Sequence, residues 1–321
     1  MKIKLFAPAK INLFLKIGAR QKNNLHEIFT KIAKIDLCDE IEICAKKSNL
    51  RKIKIEISGP QKKGVPSNCE NSVFRAVRKF CDAANLAADF EIKICKKIPN
   101  RAGLGGGSSN AGVVLRALFE NFRERISVEK VLKIAHEIGS DIPFFFENFE
   151  IAKVENTGEK IVELPHENFF IAIATLPRIE ISTKWAFEKL VAMRNLKFEN
   201  SAASFGNLNS KQNFGKNNVI PENFAEIYPE SRASFSQKIQ KRKKETENFG
   251  NDFEEIIFSF FPDLKNLKNL FLKNGATRAS LTGTGAAVFG IFENENAAKN
   301  FEKNFAKNFA FFYRGKNFDK K

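Results

Sequence analysis

Aromatic side chains other than phenylalanine are almost missing from this 321-residue chain, which has one Trp (Trp185) and two Tyr against 34 Phe. Histidine is as scarce, with three residues (His26, His136, His166), and the five cysteines (Cys38, Cys44, Cys69, Cys81, Cys95) form no Cys-x-x-Cys pair. That spacing argues against a structural zinc site and against a disulfide framework. Odd, scattered thiols fit a reducing cytoplasm, where the protein is expected to reside. No apolar run approaches the roughly 18 residues of a membrane span. The opening segment MKIKLFAPAKINLFLKIGAR is interrupted by Lys10, Asn12 and Lys16, which speaks against a secretory signal. Acidic residues are also short, 37 against 53 Lys and Arg, for a net charge of +16.

What is present is a globular composition: 43% hydrophobic and 28% charged residues, in a length that suits two packed domains. The excess charge would ordinarily point to nucleic acid or an anionic surface. Here it is carried by 39 Lys against 14 Arg, spread along the chain and accompanied by 32 Asn. Lys, Asn, Phe and Ile share A/T-rich codons, so genome composition explains the bias, and neither nucleic acid nor membrane is the expected partner.

The elements alternate. Residues 2–18 read as a strand or a bent pair of strands, with Pro8 marking an edge or bulge. Residues 35–45 and 51–58 are Ile-rich strands, and 71–86 carry apolar positions at helical spacing (Val73, Phe74, Val77, Phe80, Cys81, Ala84). A strand over 90–95 leads into RAGLGGGSSNAGVVLRALFENF, residues 101–122. Four glycines in its loop permit backbone conformations closed to other residues. Ser108, Ser109 and Asn110 are good N-cap types before a helix over 111–122, and a second helix over 128–138 closes on Gly139. A buried strand at 169–176 restarts the pattern, so a domain boundary is expected near 160, giving domains 1–160 and 161–321. Within the second, 195–250 reads as a solvated surface insertion rich in Asn, Ser and Lys, with KRKK at 241–244. A helix over 252–274 and a strand–turn–strand over 278–292 follow.

A glycine loop between a strand and a helix N-terminus is a phosphate site, because backbone N–H groups converge there and the helix dipole favours negative charge. It is not a P-loop, since Ser108 stands where the Lys of GxxxxGK[ST] belongs, and GxGxxG is met only loosely. The bland alternative is a tight turn without a ligand. Two further segments bear on the choice. PAKINLFL (8–15) puts Lys10 and Asn12 on one face of an extended chain, and IGSDIPFFF (138–146) places Asp141 among Phe side chains. Taken singly, Lys10 reads more readily as a solvated charge and Asp141 as a helix cap with Pro143 in the first turn.

Together with LGGGSSNAG and a late TGTGAAVF, these segments resemble in order and spacing the GHMP small-molecule kinases, over residues 1–195 and 250–292. The resemblance implies an α+β fold of two lobes: an N-terminal lobe like ribosomal protein S5 domain 2, which binds ATP, and a ferredoxin-like C-terminal lobe. The match is nearest to the branch that phosphorylates the 2-hydroxyl of cytidine diphosphate methylerythritol in non-mevalonate isoprenoid synthesis. It implies Lys10 and Asp141 as the catalytic pair, with Asp141 accepting the hydroxyl proton and Lys10 stabilising the transferring charge. It further implies Pro99, Asn100, Arg101, Ala102, Gly103, Leu104, Gly105, Gly106, Gly107, Ser108, Ser109 and Asn110 as the ATP-phosphate loop. ATP is the expected co-substrate, with Mg²⁺ held near Ser108 or Ser109, and the expected assembly is a monomer or homodimer. Asn12 and His26 match substrate-contacting positions, His26 reading the cytosine edge.

Departures from the family pattern shape the remaining expectations. The usual Gly-Tyr-His appears as Asn24-Leu25-His26, which removes a stacking tyrosine, and Trp185 is expected to supply the other aromatic wall. The usual Asn-Asp-Leu-Glu helix start appears as Asn251-Asp252-Phe253-Glu254. Leu25 is the best support for a different GHMP kinase, of homoserine or mevalonate type. The charge of +16 motivates a third reading, a non-catalytic nucleic-acid-binding protein on the same fold.

Overall fold

The structure, a computed structural model, describes residues 1–21, 25–205 and 250–318. Two long antiparallel strands dominate its first half: β1 (Lys2–Arg20) and β2 (His26–Lys47), which align Lys10 with Lys34. Their register shifts between Pro8 and Ala9, Asn12 and Phe14, and Ile17 and Arg20. Proline has no N–H for a ladder, so the first break falls where the sequence requires one.

Around this pair a six-stranded sheet forms in the order β3 (Ile53–Ser58), β4 (Ala88–Cys95), β2, β5 (Ile151–Asn156), β6 (Lys160–Glu163), with β1 also paired to β2. The helices α1 (Ser72–Ala83), α2 (Gly106–Phe122) and α3 (Val128–Ile138) bury their apolar stripes against it. Val73, Val77 and Phe80 join Leu115 and Leu118 over Ile41, Ile43, Ile92 and Ile94. Each such side chain withdrawn from water contributes about 1.5–3 kcal/mol. A short helix, α4 (Ile142–Glu147), is buried along Ile142–Phe146.

The second sheet is antiparallel in the order β10 (Phe311–Lys316), β7 (Phe170–Thr175), β9 (Val288–Phe292), β8 (Arg278–Leu281). Helices α5 (Thr183–Phe205), α6 (Glu254–Phe260), α7 (Pro262–Lys273) and α8 (Glu295–Phe305) accompany it. Here the phenylalanine excess packs: Phe271 stacks on Phe301 with ring centroids 4.4 Å apart, and Phe292 and Phe253 lie in the same cluster. A third cluster lies between the sheets, where Ala9, Ile11, Ala33 and Ile35 of the first meet Ile171, Ile173 and Phe289 of the second. This is the two-lobed α+β architecture expected.

The first sheet continues to Glu163 and the second opens at Phe170. We therefore propose the division between lobes at 164–169, because a boundary at 160 would part β6 from its partner β5. Of the segment read as an insertion, 195–205 extend α5, while 206–249 lie outside the described residues. Among the described residues no helix is long and apolar enough to cross a membrane.

Candidate active site

The bulges in β1 bend it so that residues 10–12 reach both lobes at once. Lys10 and Asn12 share a face, as alternation predicts, and the Lys10 ammonium donates to Asn12 Oδ1 at 2.6 Å. The same ammonium lies 3.6 Å from Asp141 Oδ2. The Lys10 side chain is 5% exposed and that of Asp141 34%, so the pair has a buried cation and a carboxylate open to a ligand.

Asp141 occupies the N-cap position of α4, with Ile142 and Pro143 opening the helix, but its side chain makes no capping hydrogen bond. The carboxylate that would ordinarily satisfy the helix is turned to Lys10 instead.

The glycine loop is wedged between these groups and the second lobe. Gly105 is the N-cap of α2 in a left-handed conformation (φ 70°), and a Cβ there would fall 2.9 Å from Lys10 Cγ. Gly103 (φ 78°) lies so close to the 282–285 turn that a Cβ would be 2.1 Å from the Thr282 carbonyl oxygen. Both conformations favour glycine independently of space. Helix α2 begins at Gly106, so Ser108, Ser109 and Asn110, expected as caps before a helix starting at 111, are its third, fourth and fifth residues. The reason is local: Gly105 can adopt the left-handed turn that lets the helix start early. With no side chain capping it, the N–H groups of Gly106, Gly107 and Ser108 have no intrahelical acceptor and converge on one spot. Ser109 is fully buried and its hydroxyl, like Asn110 Oδ1, has no hydrogen-bond partner, whereas Ser108 is half-buried.

The second lobe closes the site with a turn over 282–285. Thr282 Oγ1 accepts from the Asn12 N–H (3.2 Å) and donates to the Gly103 carbonyl (3.2 Å), and the Gly283 N–H donates to Asn12 Oδ1 (2.9 Å). Asn12 also donates through Nδ2 to Thr30 Oγ1 at 3.0 Å. Expected as a substrate contact, Asn12 is thus 4% exposed and engaged on all sides, holding Lys10 and the turn in place.

Three supports reach partners that the sequence does not reveal. Asn251 donates to the carbonyls of Leu281 (2.8 Å) and Gly283 (2.7 Å), and Glu254 Oε1 accepts from Ser280 Oγ and the Leu281 N–H, so the Asn-Asp-Phe-Glu segment holds the 282–285 turn. Beneath the loop, Asp39 forms a buried ion pair with Lys96 and accepts from the N–H groups of Lys97 and Ile98. Burial next to Asp36 and Asp39 pushes the nearby Cys38 thiol up to about 12. All are long-range pairs that no local spacing reveals.

His26 stands at the far end of β1 and β2, opposite Arg20. Its Nδ1 faces the Gly18 carbonyl at 3.3 Å, and its ring stacks on Phe187 (centroids 5.1 Å, 26° between planes). Burial lowers its pKa against the Gly18 hydrogen bond, which raises it, and the Arg194 and Arg20 cations add to the lowering. The aromatic against His26 is Phe187, while Trp185, expected as a wall for the cytosine, packs edge-on to Phe260 (5.1 Å) and Phe261 (5.9 Å) in the second lobe. The two are two residues apart on α5, about 200° around the helix, so only one can face His26.

The comparisons with known proteins agree with this geometry. Residues 71–148 match the GHMP kinases N terminal domain and 237–310 the GHMP kinases C terminal domain. The chain is 30% identical over 299 residues to 4-diphosphocytidyl-2-C-methyl-D-erythritol kinase of Citrifermentans bemidjiense, covering 93% of this chain and 92% of that one. It is 31% identical over 303 residues to the kinase of the same name from Syntrophus aciditrophicus, covering 94% and 93%. Among solved structures, a 4-(cytidine 5'-diphospho)-2C-methyl-D-erythritol kinase superposes with a TM-score of 0.68 at 24% identity, over 98% of each chain. The mevalonate kinase of Methanococcus jannaschii superposes at 0.62 and 17%, over 99% of each. Likeness along nearly the whole length, at this identity, places the chain in the GHMP kinase superfamily, within the 4-diphosphocytidyl-2-C-methyl-D-erythritol kinase family.

Proposed function

We propose that the protein transfers the γ-phosphate of ATP to the 2-hydroxyl of 4-(cytidine 5'-diphospho)-2-C-methyl-D-erythritol, a step of non-mevalonate isoprenoid precursor synthesis. The observation that carries the reading is the Lys10–Asp141 pair, 3.6 Å apart, beside the uncapped N-terminus of α2. The free N–H groups of that helix receive the ATP phosphates, as they would any anion. Asp141 accepts the proton of the attacking hydroxyl, and Lys10 remains charged beside the transferring group. Most of the rate enhancement comes from positioning and charge neutralisation.

Of the two serines expected near magnesium, Ser108 is the accessible one. Its hydroxyl is a hard oxygen donor that would help hold Mg²⁺ beside the ATP phosphates, leaving the Asp141 carboxylate to take the proton. When bound, the ion neutralises phosphate charge.

At the other end, Gly18 can only accept, so Nδ1 of His26 carries the proton and Nε2 is an acceptor. That suits the exocyclic amine of cytosine, a donor. Phe187 supplies the aromatic face, and Leu25, 48% exposed, an apolar one where relatives of the motif carry tyrosine. The five free thiols are consistent with a cytoplasmic site of action.

The test is a coupled ADP-release assay on a panel of alcohols. ADP should form from ATP with the cytidine diphosphate substrate and not with homoserine or mevalonate; equal turnover with those two would overturn the substrate assignment.

A further inference from the structure

Lys34 is a buried cation that the chemistry above does not use. It sits on β2 directly across the ladder from Lys10, and only 1% of it is exposed. Its ammonium donates to Asn148 Oδ1 at 2.8 Å and lies 5.3 Å from the ring centroid of Phe144 and 5.9 Å from that of Phe145. Burying an ammonium is costly unless it is hydrogen-bonded and faces negative potential, which the amide oxygen and the two ring faces provide.

That amide and both rings belong to α4 or its C-cap. Asn148 closes that helix in a left-handed conformation (φ 61°), and Phe144 and Phe145 are its third and fourth residues. A six-residue helix does not hold itself together. Its C-terminal end is gripped from two sides: Arg116 of α2 donates to the carbonyls of Phe146 and Glu147, both at 3.1 Å, and Lys34 of β2 holds Asn148. The N-terminal end carries Asp141. Phe145 also reaches the site directly, since a Cβ at Gly105 would be 3.4 Å from Phe145 Cε2 and one at Gly112 only 2.5 Å from Phe145 Cβ. The ring is therefore fitted between the Lys34 ammonium, the glycine loop and helix α2.

We propose that Lys34 is a positioning residue for phosphoryl transfer: its buried ammonium fixes α4 through Asn148, Phe144 and Phe145, and so sets Asp141 against Lys10. The inference rests on the reading of Lys10 and Asp141 given above. Displacement of a catalytic group by about 1 Å costs up to about a hundredfold in rate.

The experiment compares Lys34→Met and Asn148→Gly, the latter keeping the left-handed backbone while removing only the amide, in the wild-type and Asp141→Asn backgrounds. Each single variant should lose at least about tenfold in kcat while KM for ATP stays within about twofold, because the phosphate loop is intact. In the Asp141→Asn background, where nothing is left to position, neither substitution should slow the residual rate further. Folded variants with wild-type kcat would overturn the proposal, as would an equal loss in both backgrounds. If Lys34→Met does not fold, Asn148→Gly alone decides. A wild-type enzyme that makes no ADP, or an unimpaired Asp141→Asn, would overturn the underlying reading instead.

Discussion

Asp141 stands where a helix cap belongs and does not cap, and His26 stacks on a phenylalanine while its Nδ1 is held by a carbonyl. Each residue gives up an ordinary structural role or acquires a constraint. For His26 the consequence is measurable. Burial, helped by the Arg194 and Arg20 charges and opposed by the hydrogen bond to the Gly18 carbonyl, holds its pKa below the ordinary 6.5, so the imidazole is neutral at neutral pH. The unfolded chain takes up the proton near 6.5 and the folded one only at lower pH. The stabilisation from keeping His26 neutral is therefore complete above 6.5 and is lost as pH falls through the folded value. An NMR titration should place the His26 midpoint below 6.5, and KM for the cytidine substrate should rise once the ring is protonated. A midpoint above 6.5 would contradict the assignment of a neutral acceptor. Cysteine reactivity divides the same way. Burial pushes Cys38 up to about 12 and Cys81 up to about 11, whereas Cys69 is exposed. Iodoacetamide at pH 8 should modify Cys69 first and leave Cys38 and Cys81 intact by peptide mass spectrometry.

At the scale of elements, the glycine loop and α2 form the unit proposed above to hold the ATP phosphates, and its tolerances are set by two positive φ angles. Gly103→Ala meets both a left-handed backbone and the Thr282 carbonyl, so it should destabilise the fold by at least about 1–3 kcal/mol in urea unfolding. Gly105→Ala presses on Lys10 instead and should weaken ATP binding by calorimetry more than it lowers stability. Much of this unit was readable in the primary structure, because loop, helix stripe and chain order are local patterns. The helix start was not, since serines at 108 and 109 outrank glycine as caps, yet only Gly105 takes the turn. Trp185 was a natural expectation as the rare aromatic. The rotation of α5 that presents Phe187 to His26 is decided by packing of the second lobe, which periodicity does not reveal.

Over the whole molecule, the site exists only where the lobes meet. Thr282 joins Asn12 and Gly103 across that junction, and Asn251 holds the turn that carries it. Thr282→Val would leave the Asn12 N–H without its acceptor and the Gly103 carbonyl without its donor, costing about 1–3 kcal/mol in chemical denaturation and lowering kcat as well. The lobe order was legible because the ordered motifs span the chain, while the junction depends on pairs some 270 positions apart, such as Asn12 with Thr282 and Gly283. The net charge of +16 has no comparable structural focus in the site, where the two central groups are one Lys and one Asp.

The central claim is that Asp141, set against Lys10, removes the proton from a substrate 2-hydroxyl as it takes the γ-phosphate of ATP. Phosphorus NMR of the product, run with wild type and Asp141→Asn, tests it most directly. The wild type should give a new phosphomonoester on the 2-hydroxyl in step with ADP. The variant, folded and binding ATP normally, should be slower by about 10²–10⁴-fold. Phosphate found on water or on another hydroxyl, or equal rates in the two proteins, would contradict the account.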